Sequence, residues 1–172
     1  MILKTIALAV AALAMQASAA AQDAHATKVL GLAPDGVTLT DPESNEADTV
    51  GFGTSQDDTV TFVGTALGEP EGSGVNEECN LGWAKFQGDL MLYFKAGEFS
   101  GWAILGDSGF ATPEGLTIGT TWTDLSKMFT ENEGEDVNGN FIFKAGGYGG
   151  VMTEGGPEGQ VKGMWAGDKC IG

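Results

Sequence analysis

Two segments of this chain recur in the same order, and that repetition constrains the fold more than any other feature. Residues 94–101, FKAGEFSG, resemble residues 143–150, FKAGGYGG. Residues 50–58, VGFGTSQDD, resemble residues 116–124, LTIGTTWTD. Two blocks that recur in one order indicate two copies of one supersecondary unit, packed side by side.

Each copy is predicted to start with a short helix and to continue with about three antiparallel strands. Ser55 and Thr121 each precede an aspartate by three residues, which is the spacing of a capping box at the start of a helix. Glycine-rich segments with alternating bulky residues follow both helices, and glycines within strands permit bends. The predicted fold class is therefore α+β: two tandem repeats, over about 48–105 and about 112–172, of a short helix followed by antiparallel strands that form a curved sheet.

The N-terminal residues have the pattern of a secretory signal peptide. Lys4 precedes an apolar stretch, 6–15, that is too short to span a bilayer, and small residues at a small-x-small spacing follow it. We therefore divide the chain into a signal peptide (1–21), an N-terminal tail and hairpin (22–47) and a tandem-repeat domain (48–172). The mature protein is expected to be periplasmic or secreted and not inserted in a membrane.

The charge of the chain excludes one class of partner. The formal net charge is −16, from 24 acidic and 8 basic residues, and none of the basic residues is an arginine. Binding to nucleic acids or to anionic lipid surfaces requires neutralisation of phosphates by basic side chains. We therefore expect no nucleic-acid partner and predict a monomer whose charge keeps it soluble or attracts a cation or a cationic partner.

The two cysteines, Cys79 and Cys170, are predicted to form one disulfide bond. An isolated pair in an exported chain is most simply a cystine, and no Cys-x-x-Cys motif indicates a redox role. The bridge would connect the end of the first repeat to the last strand of the second.

Two further segments, 112–120 (TPEGLTIGT) and 165–170 (WAGDKC), carry a resemblance to known proteins. They are similar to segments of uncharacterised secreted bacterial proteins with a tandem helix-plus-β-meander repeat. The repeated order of elements resembles the β-lactamase-inhibitor-protein fold, and small assembly lipoproteins of the bacterial outer membrane share the same unit. The resemblance covers roughly 48–172. In the inhibitor family a concave sheet face grips an enzyme, so the resemblance implies a curved sheet that binds a protein partner.

Aromatic residues within the repeated strands suggest where such a partner would bind. The strand at 90–94 carries bulky side chains on both faces, with Leu90, Leu92 and Phe94 on one and Met91 and Tyr93 on the other. Aromatic side chains are enriched at binding hot spots, although most of them should belong to the core. The possible partner-binding face is assigned to four residues that occupy or adjoin the repeated strands: Met91, Tyr93, Trp102 and Tyr148.

The acidic segment 131–140 is a candidate calcium site. It concentrates oxygen donors around two glycines, as hard-cation loops do, but it lacks the spacing of an EF-hand. The Asn138-Gly139 pair is equally well explained as a hairpin turn. The weak calcium candidates are Glu131, Glu133, Asp136 and Asn138, and no other cofactor is predicted.

Few residues favour catalysis. The one histidine, His25, falls in the predicted tail, so a Ser/His/Asp triad is not expected. Paired carboxylates near strand ends, among Glu98, Asp107 and Glu114, keep a carboxylate-dependent hydrolase as a minor alternative. We predict an exported non-catalytic binding or envelope-associated protein that presents a curved sheet to a macromolecular partner, with an inhibitor-like role as one form of that function. The main alternative is an acidic periplasmic protein that binds calcium or a small ligand.

Overall fold

The computed structural model describes residues 28–106 and 108–170, which form eleven strands and two helices. The predicted signal peptide, the predicted tail with His25, and Asp107 lie outside the described residues. The helices are α1 (Gln56–Leu67) and α2 (Trp122–Met128). The strands are β1 (Val29–Ala33), β2 (Gly36–Thr40), β3 (Ala47–Gly51), β4 (Gly72–Asn76), β5 (Leu81–Phe86), β6 (Leu90–Lys95), β7 (Glu98–Leu105), β8 (Asn132–Val137), β9 (Asn140–Ala145), β10 (Tyr148–Met152) and β11 (Val161–Gly167).

The strands form two antiparallel sheets, so the predicted α+β class is confirmed. β1, β2 and β3 make a small sheet in that order. The large sheet has eight strands in the order β4-β5-β6-β7-β11-β10-β9-β8. Each helix is followed in sequence by four consecutive strands of this sheet, and β7 and β11 meet at its centre.

The prediction of about three strands after each helix is wrong, because it omitted the two edge strands, β4 and β8. Their sequences, GSGVN and NEGEDV, contain one β-branched residue each and no aromatic residue, and all of their residues are exposed or partly exposed. Edge strands pair on one side only and tolerate, or require, polar residues that discourage aggregation. The sequence also does not predict β3, which pairs with β2 beside the predicted β1–β2 hairpin.

Both predicted helix starts are confirmed. The Ser55 hydroxyl accepts a hydrogen bond from the backbone N–H of Asp58 at 3.2 Å, and the Thr121 hydroxyl accepts one from Asp124 at 3.1 Å. Each hydroxyl also donates to the carboxylate of the same aspartate. These bonds satisfy N–H groups that the first turn of a helix leaves free.

The two helix starts are joined to the large sheet by matching backbone hydrogen bonds. Gly53 donates to the Phe99 carbonyl at the start of β7 (2.7 Å), and Gly119 donates to the Val161 carbonyl at the start of β11 (2.7 Å). The backbone N–H of Gln56, the first residue of α1, donates to the carbonyl of Gly97, which precedes β7. The N–H of Trp122, the first residue of α2, donates to the carbonyl of Gly159, two residues before β11. Each helix is therefore attached to the fourth strand that follows it.

The similarity between 94–101 and 143–150, in contrast, does not mark corresponding positions in the sheet. Phe94 lies in β6, beside the central β7, whereas Phe143 lies in β9, two strands away from the central β11. What the two segments share is a tight turn: Ala96 and Gly97, and likewise Gly146 and Gly147, all have positive φ. Two consecutive residues of positive φ form the type I′ turn that two-residue hairpins favour. This half of the sequence alignment is wrong as a structural correspondence.

The main core lies between one face of the large sheet and a layer made of both helices and the small sheet. Trp102, at the centre of that face, is fully buried, and its indole N–H donates to the Ala33 carbonyl at 2.8 Å. The buried Tyr148 hydroxyl donates to the Leu32 carbonyl at 3.3 Å or to the Glu114 carboxylate at 3.0 Å. These contacts fix the β1–β2 hairpin on the sheet.

The predicted disulfide is confirmed. Cys79 and Cys170 are bonded, with their Cα atoms 5.8 Å apart, and they close a loop of 91 residues. A bridge across a loop of this length stabilises a fold by about 4–5 kcal/mol in the chain-entropy treatment. It connects the β4–β5 turn to the segment that follows β11.

Candidate functional site

One face of the large sheet is left uncovered by the helices and by the small sheet within the described residues. Directly paired residues of antiparallel strands have their side chains on the same face, so the strand register identifies the residues of this surface. They are distinct from the main core and include a small second cluster around Tyr93 and Ala103. We call this surface the open face; its exposed or partly exposed side chains, with the more buried Tyr93, are Trp83, Lys85, Met91, Tyr93, Leu105, Glu133, Glu135, Ile142, Lys144, Val151 and Trp165.

Trp165 lies at the middle of the open face and is partly exposed. A Cβ atom on Gly149, in the neighbouring strand β10, would lie 2.5 Å from the Trp165 indole nitrogen. The indole therefore packs directly onto the glycine backbone, which is the way a cross-strand aromatic residue covers an exposed glycine. The Lys169 ammonium lies 4.3 Å from the centre of the ring, within the range of a cation–π contact.

Trp83 repeats this arrangement near the β4 edge. Its ring contacts the positions where Gly72 and Gly74 would carry side chains, at 3.6 Å and 3.1 Å. Glycines on β4 thus leave room for a tryptophan to lie flat on the sheet. The open face consequently presents two broad indole surfaces supported by backbone.

The C-terminal segment 168–170 crosses the open face between these tryptophans. The Tyr93 hydroxyl donates to the Cys170 carbonyl at 3.3 Å, and Asp168 pairs with Lys95 at 3.4 Å. Burial raises the pKa of Tyr93. The disulfide bond therefore fixes part of the open face as well as the fold.

Two adjoining grooves lie in the half of the large sheet formed by β8–β11; the smaller is on the open face, and the larger extends from that face past the β9–β10 turn to α2 on the covered side. The larger, of about 1030 Å³, runs beside Trp165 and is lined by α2, the α2–β8 connection, the β9–β10 turn and Gly167. The smaller, of about 300 Å³, lies between β8 and β9 beside Ile142. Glu133 and Lys144 line both grooves, so the two adjoin at these side chains.

The structure separates the four residues predicted to bind a partner. Met91 and Tyr93 lie on the open face, Met91 partly exposed and Tyr93 mostly covered by the C-terminal segment. Trp102 and Tyr148 are buried on the opposite face, under the β1–β2 hairpin, and their prediction as contact residues is wrong. They anchor the hairpin because an indole N–H and a phenol O–H in a core need acceptors, which the hairpin carbonyls provide.

Trp83 and Trp165 were not among the residues that the sequence assigned to the partner-binding face. The signal was available in the alternation of β11, where Met164 and Ala166 are buried and Trp165, between them, points the other way. The signal was weak because alternation separates the two faces of a strand but does not tell which face is exposed. That choice requires knowing which face the helices cover.

The calcium candidates do not converge. The segment predicted as a loop is the edge strand β8 followed by a turn at Asn138 and Gly139, both of positive φ, so the hairpin alternative is confirmed. Glu133 lies on the open face, whereas Asp136 lies on the other side of the strand and accepts from the Gly139 N–H at 3.0 Å. Within the described part of the chain, no group of three or more His, Cys, Asp or Glu side chains is placed to hold a metal ion.

The carboxylates considered for catalysis occupy different environments. Glu114 accepts a hydrogen bond from the Tyr148 hydroxyl, and burial, then this carboxylate, raises the pKa of Tyr148. Glu98 is exposed at the start of β7, where its backbone bridges to Ser55. Asp107 lies outside the described residues.

Comparison with known proteins returns no family, no curated protein and no solved structure that matches this chain. Among the described residues, no helix is both long and apolar enough to cross a membrane.

Proposed function

We propose that this protein is a non-catalytic binding protein that acts outside the cytoplasm and presents the open face of its large sheet to another macromolecule. The observation that carries the proposal is the contrast between the two faces. One is sealed by the helices and the hairpin, while the other exposes or partly exposes Trp83, Met91, Leu105 and Trp165. Contiguous exposed apolar patches of this kind mark interaction sites in soluble proteins.

The dimensions of the open face favour a macromolecule over a small ligand. Neighbouring strands lie about 4.8 Å apart, so eight strands extend over about 34 Å, and strands of this length run for about 20 Å. The product, roughly 700 Å², is close to the roughly 800 Å² that each partner buries in a standard protein–protein interface. The grooves beside Trp165 occupy only one half of this surface.

We further propose that the large sheet is a tandem duplication of one helix-plus-four-strand unit. The matching hydrogen bonds at Gly53 and Gly119 support this proposal, because they make Phe99 and Val161 counterparts. With β7 matched to β11 in this way, Ala103 becomes the counterpart of Trp165, and these two residues are paired with each other. Counterparts that face one another are what a twofold axis between β7 and β11 requires.

Strand irregularities support the same axis. The β6–β7 register shifts between Tyr93 and Phe94, and the β10–β11 register shifts between Val151 and Met152. In both cases the extra residue lies in a central strand, Ser100 in β7 and Lys162 in β11. Bulges are features that related units retain, so two of them at matching places favour duplication over coincidence. The proposed axis lies between β7 and β11, which are hydrogen-bonded neighbours, so the open face continues from one half of the sheet to the other.

Features of the described residues support a binding role over a catalytic one. Every buried side-chain nitrogen and oxygen has a hydrogen-bond partner, and both cysteines are joined in the disulfide. Catalytic sites often hold polar groups unsatisfied, and the strongly raised pKa here, that of Tyr148, belongs to a hydroxyl buried under the β1–β2 hairpin. The disulfide and the signal-peptide pattern support a location in an oxidising compartment.

Site-specific photo-crosslinking in the exporting cell tests the proposed face. A benzophenone amino acid is placed at Leu105 or Ile142, on the open face, and in matched controls at Val29 or Thr61, which are exposed on β1 and α1. We expect a discrete adduct of one mass from both open-face positions, absent from the controls and lost when Trp165→Ala is added. Equal labelling from both sides of the molecule, or no adduct from the open face, would reject the proposal.

A further inference from the structure

We infer that the partner of the open face is a protein surface on which lysine or arginine side chains surround a projecting apolar side chain. This inference rests on the proposed function, since it specifies the chemistry of the partner at the same face. It is carried by the shape of the larger groove beside Trp165 and by the distribution of charge around the apolar centre.

The apolar centre has room for an anchor. The larger groove, of about 1030 Å³, is bordered by the Trp165 indole and by the glycine backbone of Gly146, Gly147 and Gly149. Binding energy in protein interfaces concentrates where one partner inserts an aromatic or aliphatic side chain into such a pocket. The Trp165 indole and the exposed Met128 supply apolar walls for such an anchor.

The lysines of the open face do not make it cationic. Lys85 pairs with Asp89 at 2.8 Å and with Glu71 at 3.7 Å, and the Lys95 charge is compensated by Asp168. Lys144 lies directly opposite Glu133 in the β8–β9 register. Each of these cations therefore has an adjacent carboxylate. Lys169, over the Trp165 ring, forms no ion pair within the described part of the chain, but it is a single charge on a chain whose net charge is −16.

The excess charge is negative and lies at two rims of the face. At the β8 edge, three carboxylates, Glu131, Glu133 and Glu135, lie near one lysine, Lys144 opposite Glu133. At the opposite end, Glu77 and Glu78 precede Cys79, whose disulfide partner contacts Tyr93. An apolar centre with a charged, solvent-accessible rim is the usual anatomy of an interface, and the rim sets which partner associates quickly.

Charge complementarity also argues against a second copy of the chain as the occupant. Two open faces or two β8 edges brought together would place like carboxylates opposite each other at the rim, which costs free energy. A basic partner is attracted by the same carboxylates. The electrostatic field of this acidic protein also increases the rate at which a basic partner associates with it.

Selection from a displayed library of random peptides on the mature, disulfide-bonded protein tests the inference. We expect the selected peptides to have a net positive charge and a leucine or aromatic residue. Trp165→Ala should weaken their binding at least tenfold. Peptides that are neutral or anionic would overturn the inference, as would self-association of the protein at the same face.

Two triple variants with the same change in net charge separate the effect of the rim carboxylates from the effect of net charge. Glu131→Gln, Glu133→Gln and Glu135→Gln together should lower the association rate for a selected peptide about tenfold at low salt, with the difference shrinking as salt is raised. The control, Glu43→Gln, Glu46→Gln and Glu69→Gln, makes the same change in net charge at exposed sites away from the face and should alter the rate less than twofold.

The outcomes of the crosslinking, the peptide selection and the comparison of the triple variants separate the two proposals. Equal effects of both triple variants would show that only net charge matters and would overturn the inference. Crosslinks on the open face together with anionic selected peptides would leave the proposed function standing and reject the basic partner. Crosslinks on the helix side would reject both.

Discussion

At Gly150, the absence of a side chain is a packing requirement. A Cβ atom there would overlap the ring of the buried Phe143 and lie 2.6 Å from the Gly163 carbonyl oxygen. Phe143 can occupy the core only because the residue paired with it in β10 has no side chain. Large and small residues thus alternate across neighbouring strands to fill the core.

We therefore predict that Gly150→Ala destabilises the protein by about 1–3 kcal/mol, the usual cost of overpacking a core. Gly64→Ala is the matched control, because a Cβ atom in that helical position meets nothing within 4 Å. It should stabilise the protein by about 0.5–1 kcal/mol, since alanine is the better helix former. Urea unfolding with the disulfide intact measures both; equal effects of the same sign would contradict this account of Gly150.

The two tyrosines of the chain, Tyr93 and Tyr148, provide a second test at the residue scale. Burial raises the pKa of both, and the Glu114 carboxylate raises that of Tyr148 further. In the unfolded chain both hydroxyls ionise near pH 10. Above that pH the unfolded state loses protons that the folded state retains, so stability is complete below about pH 10 and falls as pH rises further.

We expect absorbance at 295 nm near pH 10 to show much less tyrosine ionisation in the folded protein than in 8 M urea, where about half of the hydroxyls should be ionised. In Tyr148→Phe, the loss of stability above pH 10 should be smaller, because Tyr93 alone then links ionisation to unfolding. Titration of both tyrosines near pH 10 without unfolding would contradict their burial.

At the scale of elements, each helix depends on its cap because each is short. The helix α2 has only seven residues, too few to be stable alone, so its N-cap and its buried Leu125 must hold it in place. We predict that Thr121→Ala lowers the free energy of unfolding by about 1 kcal/mol, and Ser55→Ala by a similar amount. Thermal or urea unfolding of the two variants measures this, with Thr61→Ala, exposed in the middle of α1, as the control. A loss no larger than that of the control would mean that the caps are dispensable.

The elements predicted correctly are those with local signals. Capping boxes at Ser55 and Thr121 indicated both helices because a cap acts within three residues of the chain. The strand at 90–95 was predicted with the right faces because one side of it is buried and the alternation is visible. The edge strands β4 and β8 were missed because an exposed, glycine-rich or acidic strand is stabilised by pairing with its neighbour, which a local pattern does not record.

The candidate site was harder to predict than the elements. Met91 and Tyr93 were assigned to the outer face of their strand, and both lie there, whereas Trp102 and Tyr148 are in the core. An aromatic residue in a glycine-rich strand can serve either face, and the choice depends on where the β1–β2 hairpin packs. That contact joins Ala33 to Trp102 across 69 residues of chain, so no local pattern could reveal it.

At the scale of the whole molecule, the proposed axis makes residues in the middle of the open face counterparts of each other, and the large and small members of these pairs are interchanged between the two halves. On one side, Ala103 in β7 is paired with Met91; on the other, Trp165 in β11 is paired with Gly149. Under the duplication, Met91 and Gly149 are counterparts, as are Ala103 and Trp165. Each half therefore pairs one large residue with one small residue. In the first half the large residue, Met91, lies in β6, next to the central pair, whereas in the second half the large residue, Trp165, lies in the central strand β11.

This exchange predicts a strong coupling between two substitutions. Trp165→Ala alone removes the indole, and Gly149→Met alone inserts a side chain where the indole lies, so each should destabilise the protein by about 1–3 kcal/mol. Together they recreate the Met91–Ala103 pair in the second half, and the double variant should be more stable than the sum of the single effects by at least about 1 kcal/mol. Urea unfolding of the four proteins in the cycle measures this coupling. The control cycle combines Gly149→Met with Leu105→Ala, whose side chain lies over Gly163 instead, and should be additive within about 0.5 kcal/mol. If the first cycle is also additive, the two halves do not share a common design at their axis.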